Sequence, residues 1–186
     1  FIGVALVNAI NFIDIKDGLA TSLGIIVLIY MLNLPYYTDG YNIYIAYYIF
    51  SLLSIYWLNC EPAKVYQGDG GSYAIAATCY GAILYNLSGL IDKYKFENIE
   101  SIPIDINSSI AFDNNSIVIF TMLITFFPIL FEISFVVFQR ISKNLSPFQA
   151  SNDHIAIRLT SLGYSTFKIT IIFISLPLLA ILLLVL

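Results

Sequence analysis

Four stretches of this chain run for sixteen to nineteen residues without one charged side chain: Leu19–Pro35, Ile43–Leu58, Tyr73–Ile91 and Ile169–Leu186. A fifth, Ser116–Phe138, carries only Glu132. A helix needs about 20 mostly apolar residues to cross the hydrocarbon core of a bilayer. Lipid offers no partner to an unpaired backbone amide, so runs of this kind form helices. The alternating pattern of an outer-membrane barrel strand is missing from all five. Phe1–Val7 is apolar as well, with no charged segment before it, and reads as the last two turns of a span rather than a signal peptide. The expected fold is all-α: a polytopic transmembrane helix bundle with five full spans plus one partial span at the N-terminus. Residues 1–186 are read as a single membrane-embedded domain, a fragment lacking an N-terminal half.

Composition points the same way. Only 11% of the residues are charged and 59% are hydrophobic, whereas soluble domains carry about 25% charged residues. A net charge of −4 excludes a nucleic-acid footprint, which needs clustered Lys and Arg. Cys60 and Cys79 have no metal-ligand spacing and read as ordinary residues.

Successive spans reverse direction, so Asn8–Gly18, Asn59–Ser72 and Gln139–Lys168 belong on one face, and Tyr36–Asn42 and Asp92–Asn115 on the other. The first face holds Lys16, Lys64, Arg140, Lys143, Arg158 and Lys168; the second holds Lys93 and Lys95. Six basic residues against two orient the first face to the cytoplasm. The loop Asp92–Asn115, with Asp92, Glu97, Glu100, Asp105 and Asp113, reads as solvated outer surface.

Nearly every polar group that is costly near lipid falls on that cytoplasmic face. Asn8, Asn11, Asp14 and Asp17 recur every third residue, which on a helix keeps them along one slowly drifting stripe. Two amides and two carboxylates there are expensive unless they serve a site; a solvated helix end is the alternative, which fits Asp17 but not Asn8 and Asn11, flanked by apolar residues. Gly68-Asp69-Gly70-Gly71 gives a backbone free to approach a ligand, just before a helix whose amides and positive dipole end point to the same place. Asp69 on such a turn suits a Mg²⁺ carried by a diphosphate, though a plain turn before a helix accounts for the glycines equally well. The third segment, Ser146–Ser165, holds the single histidine, His154. With Asn152 or Asp153 capping a helix that ends at Gly163, His154 and Arg158 stand four apart as a phosphate cradle; a surface histidine of no function is the alternative. Glu132, four residues after Pro128, is either a functional intramembrane carboxylate or one that snorkels to the headgroups.

Together these residues resemble the polyprenyl-phosphate N-acetylhexosamine-1-phosphate transferase superfamily, of the phospho-N-acetylmuramoyl-pentapeptide transferase type. Its Asn-x-x-Asn-x-x-Asp-Gly-x-Asp-Gly-Leu-Ala is matched from Asn8 to Ala20, with Ile15 in place of a glycine. Its Pro-Ala-Lys-x-Phe-x-Gly-Asp-x-Gly-Ser is matched from Pro62 to Ser72, with Gln67 where an apolar residue is usual. Its Pro-Phe…Asp-x-x-His-x-His-His-Arg-Leu…Leu-Gly appears in altered form from Pro147 to Gly163, Ala156 and Ile157 standing where the family has histidines. The family's paired aspartates lie upstream of this sequence.

The resemblance implies an enzyme that moves a sugar 1-phosphate, GlcNAc-1-phosphate or a relative, from a UDP-N-acetylhexosamine to a polyprenyl (undecaprenyl) phosphate with release of UMP. That is the first membrane step of cell-wall or surface-polysaccharide synthesis, at the cytoplasmic face of the inner membrane. It implies Asp69, His154 and Arg158 as catalytic residues, Asp69 also as ligand to Mg²⁺ (or Mn²⁺), and Asn8, Asn11, Asp14, Asp17 and Asn59 as substrate-binding. A homodimer is one assembly open to it. The rivals are a degenerate, non-catalytic relative, suggested by the lost histidines, and a transporter, which would place polar groups at mid-span rather than at one end.

Overall fold

The computed structural model describes residues 2–34, 39–97, 114–146 and 153–185, which form seven helices and no strand. These are α1 (Ile2–Ile13), α2 (Leu19–Leu32), α3 (Asp39–Asn59), α4 (Gly68–Glu97), α5 (Asn114–Ser142), α6 (Ile155–Ser161) and α7 (Thr166–Val185). The expected all-α class holds. Among the described residues, Ser116–Ser142 and Thr166–Val185 have both the length and the apolarity of a membrane span. At 21 and 30 residues α3 and α4 are long enough, but they carry tyrosines and asparagines that lower their mean hydropathy. Five tyrosines lie on α3 alone: Tyr41, Tyr44, Tyr47, Tyr48 and Tyr56.

α2 occupies the centre, against α3, α4 and α7 and more lightly against α1 and α5. Its sequence is apolar on every side, and it is buried on nearly every side. It is shorter than the uncharged run that contains it, since the chain leaves the helix at Asn33. A helix enclosed by protein faces little lipid and need not match the bilayer's thickness. Gly24 lets α4 approach α2 closely, since a Cβ there would stand 2.5 Å from Ile75 Cγ2. Gly24→Ala is therefore expected to destabilise the bundle by about 1–3 kcal/mol, read as a lower unfolding midpoint in detergent that Ile75→Ala partly restores.

Several helices reach further than the uncharged runs predict, α1 to Ile13 and α3 from Asp39 to Asn59 among them. α4 takes in Gly68–Ser72, and α5 continues through Gln139–Ser142; both segments were expected to be loops. Polar helix ends thus carry part of the site. The acidic segment Asp92–Asn115 lies for the most part outside the described residues, as do Pro147 and Asn152.

Candidate functional site

The turn after α1, the loop between α3 and α4, and the segment around α6 meet at one end of the bundle. α1 stops at Ile13, where the Asp14 amide bonds the Asn11 carbonyl at 3.1 Å. The expected helical stripe therefore breaks after Asn11, and Asp14 and Asp17 stand on the turn that follows. Gly18, at φ 71°, closes this turn against α3, and a Cβ there would stand 2.8 Å from the Tyr56 ring.

The first two segments are joined by four side chains. Asn11 Nδ2 donates to Asp69 Oδ1 at 3.0 Å and to Ser72 Oγ at 2.9 Å. Asp17 Oδ2 accepts the Ala63 amide at 3.0 Å. Asn59, 3% exposed, accepts the Gly18 amide at 3.1 Å and donates to the Val65 carbonyl at 3.0 Å. The Thr21 hydroxyl lies 2.9 Å from Asn59 Oδ1 and 2.8 Å from Gln67 Oε1, one proton shared between two acceptors. Asp69 sits in the first turn of α4 rather than on the turn before it. Gly68 enters that helix at φ 59°, and Gly71 leaves room for Gln67, whose Cβ would be 2.6 Å from an added Cβ.

These contacts enclose a cavity of about 240 Å³ lined by Asp14, Ile15, Lys16, Asp17, Asn59, Tyr66, Gln67 and Gly68. Burial holds the Asp14 carboxyl above the usual carboxylate range. The neighbouring Gln67 side chain opposes this, and the Asp69 charge adds to it. A carboxyl so raised makes its ionised form a cost to the fold. That cost is absent below the ordinary value of 3.8 and complete above the raised one. A cation near Asp14 and Asp69 would remove it. Among the described residues no three His, Cys, Asp or Glu side chains converge on one point. A carboxylate pair alone suits Mg²⁺, which takes one or two carboxylates together with substrate phosphates and water.

The third segment brings a second group to the same end. Glu132 on α5 is 1% exposed and does not snorkel: its Oε1 lies 3.1 Å from His154 Nδ1 and accepts the Ile155 amide at 3.2 Å. The Phe12 ring, next in sequence to Asn11, meets His154 edge-on at 5.9 Å and lies 5.3 Å beneath the Arg140 guanidinium. Phe12 is thus the physical link between the Asp69 group and the histidine. Lys143 and Asp153 form an ion pair across the described ends of that loop.

Some expected details differ. His154 itself occupies the N-cap of α6, without a side-chain cap bond, so Asp153 stands one residue outside. His154 and Arg158 do not close one cradle. His154 turns to Glu132, while Arg158 bonds Gln139 Oε1 at 3.0 Å and lies 4.9 Å over the Phe135 ring. Glu132 and Gln139 are seven residues apart, about 10 Å along a helix. Asn8 is not drawn into the group; it bonds the Val4 carbonyl at 2.9 Å and faces a separate groove beside Tyr73 and Tyr80. Thr21 and Tyr66 were not anticipated. Thr21 hides within an apolar run, but Tyr66 is the one aromatic residue of the loop between α3 and α4, and that is a usable signal.

The model of the family described as glycosyl transferase family 4 matches residues 1–87. Phospho-N-acetylmuramoyl-pentapeptide-transferase of Deinococcus radiodurans is 39% identical over 82 residues, 44% of this chain and 24% of that protein. The enzyme of the same name from Staphylococcus epidermidis strain RP62A is 42% identical over 96 residues, 48% of this chain and 27% of its own length. That from Dictyoglomus thermophilum is 35% identical over 72 residues, 39% and 24% of the two chains. The chain thus spans about a quarter of the length of these curated relatives. No solved structure matches it.

Proposed function

We propose, from the match of residues 1–87 to the family described as glycosyl transferase family 4, that the complete protein transfers a sugar 1-phosphate from a UDP-N-acetylhexosamine to a polyprenyl phosphate. A lipid phosphate oxygen attacks the sugar-linked phosphorus, the bond from that phosphorus to the bridging oxygen breaks, and UMP leaves. The observation that carries this reading is the Asn11–Asp69 hydrogen bond, which ties the two motifs of residues 1–87 together beside a cavity lined by Asp14, Asp17 and Asn59.

Such a reaction asks the protein mainly for position and charge neutralisation. Asp69, with Asp14 near it, would hold Mg²⁺, or Mn²⁺ in its place; when bound, the ion neutralises diphosphate charge. Asn11 keeps Asp69 oriented, and Asn59 holds the two loops in register. Tyr66, 76% exposed at the cavity, offers an aromatic face to the uracil ring. Base stacking on an aromatic residue contributes about 1–3 kcal/mol. Tyr66→Ala is therefore expected to raise KM for the UDP-sugar on the order of tenfold with kcat little changed, measured by initial-rate kinetics. From the third segment Arg158 neutralises phosphate charge, and His154 offers a proton acceptor to the attacking lipid phosphate.

In the same reading α2, α3, α4, α5 and α7 are five crossings of the inner membrane and α1 is a partial one. The site then faces the cytoplasm, where a soluble nucleotide and the lipid headgroup both reach it. A degenerate relative is the second reading, favoured by one observation: Ala156 is fully buried where the resembled family carries histidine. Exchange of labelled UMP into UDP-GlcNAc and other UDP-N-acetylhexosamines by membranes holding the full-length protein decides between them. Exchange is expected, and its absence from an intact, folded protein across these donors would overturn the enzyme.

A further inference from the structure

Glu132 lies on α5 with its side chain 1% exposed, where a carboxylate is costly unless its bonds offset the loss of water. Its Oε1 already accepts the Ile155 backbone amide at 3.2 Å, and a backbone amide can only donate. The same oxygen lies 3.1 Å from His154 Nδ1. An oxygen acting as acceptor at that distance calls for a proton on Nδ1, which leaves Nε2 of the neutral imidazole with a free lone pair. Phe12 packs edge-on against the ring at 74°, opposing its rotation, and Phe12 follows Asn11, the residue that orients Asp69.

We propose that Glu132 is a positioning residue: it fixes the ring orientation and the Nδ1–H tautomer of His154, so that Nε2 presents an acceptor to the substrate. The proposal rests on the transferase reading for its consequence, but its physical content, the tautomer, is measurable without turnover. Glu132 never touches substrate in this account, and it acts only through the histidine. One carboxylate oxygen holds both the imidazole and the first amide of α6, so ring and helix are placed by the same group.

The test combines spectroscopy with kinetics on the full-length protein in lipid nanodiscs. With ¹⁵N-histidine labelling, the resonances lost in His154→Asn identify this ring, and a protonated ring nitrogen is resolved from an unprotonated one. The wild type is expected to carry its proton on Nδ1. Glu132→Ala is expected to release the ring to a mixture with the Nε2–H form and to lower kcat about ten- to a hundredfold, with KM for the UDP-sugar unchanged. Glu132→Gln, which keeps an oxygen acceptor in the same shape, is expected to retain the Nδ1–H form and most of the activity.

An Nε2–H ring in the wild type would overturn the proposal, as would a Glu132→Ala protein with the wild-type tautomer and kcat. Should Glu132→Ala fail to accumulate, the wild-type and Glu132→Gln spectra still decide. A wild type that holds the Nδ1–H ring yet exchanges no UMP would sink the transferase reading and leave the positioning role of Glu132 intact.

Discussion

Asp69→Asn is expected to lower kcat for UMP exchange on the order of a thousandfold while leaving the fold in place. The separation of the two effects comes from Asn11. Its Nδ2 donates to Asp69 Oδ1, and an asparagine side-chain oxygen still accepts that bond, though more weakly than a carboxylate, so the tie between α1 and α4 survives. What disappears is the negative charge in the first turn of α4 beside Asp14. With Asp69 neutral, one of the causes holding Asp14 above its ordinary range is gone, and the pair can no longer hold a divalent cation. Added Mg²⁺ should stabilise the wild type by about 2.7 kcal/mol at a hundredfold excess over Kd, read as a higher unfolding midpoint, and leave Asp69→Asn unmoved. Initial rates and thermal scans with and without Mg²⁺ check both halves.

Asn59→Ala is expected to cost about 2–6 kcal/mol of stability and to raise KM for the UDP-sugar steeply. Asn59 is buried and bonds the Gly18 amide and the Val65 carbonyl from opposite ends of one side chain. Removing it orphans both backbone groups, each at about 1–3 kcal/mol. Thr21 keeps Gln67 as an alternative acceptor, so its hydroxyl is spared. The two loops that line the cavity lose the bond that sets their register, and the cavity lies between them. Detergent melting curves and donor-dependence of the rate measure the two consequences. A variant with wild-type stability and a tenfold higher KM would mean that Asn59 meets the nucleotide and adds little to the scaffold.

Much of this was legible in the chain because burial of charge in lipid is so costly that polar residues mark their own locations. Asn11, Asp14, Asp17, Asn59 and Asp69 were expected together, and the turn after α1 and the loop before α4 do meet. The stripe idea failed beyond Asn11 for a local reason: the helix ends at Ile13, and three-residue spacing means nothing on a turn. Asn8 illustrates the other limit. It shares the spacing of Asn11, but its side chain returns to the Val4 carbonyl one turn back. Glu132 was a residue with two open fates, and only the fold brought His154 to it, 22 residues away in sequence. The full span count was read from apolar runs, yet α3 and α4 mix tyrosine and asparagine into them, so apolarity alone marks α5 and α7.

Photolabelling of the full-length protein with 5-azido-UDP-N-acetylglucosamine, followed by mapping of the modified peptides, addresses most directly whether separated loops share one nucleotide. Label is expected in 59–72, centred on Tyr66, that excess UMP suppresses and Asn59→Ala weakens. Label confined to the opposite end of the bundle, on 39–48, would contradict it.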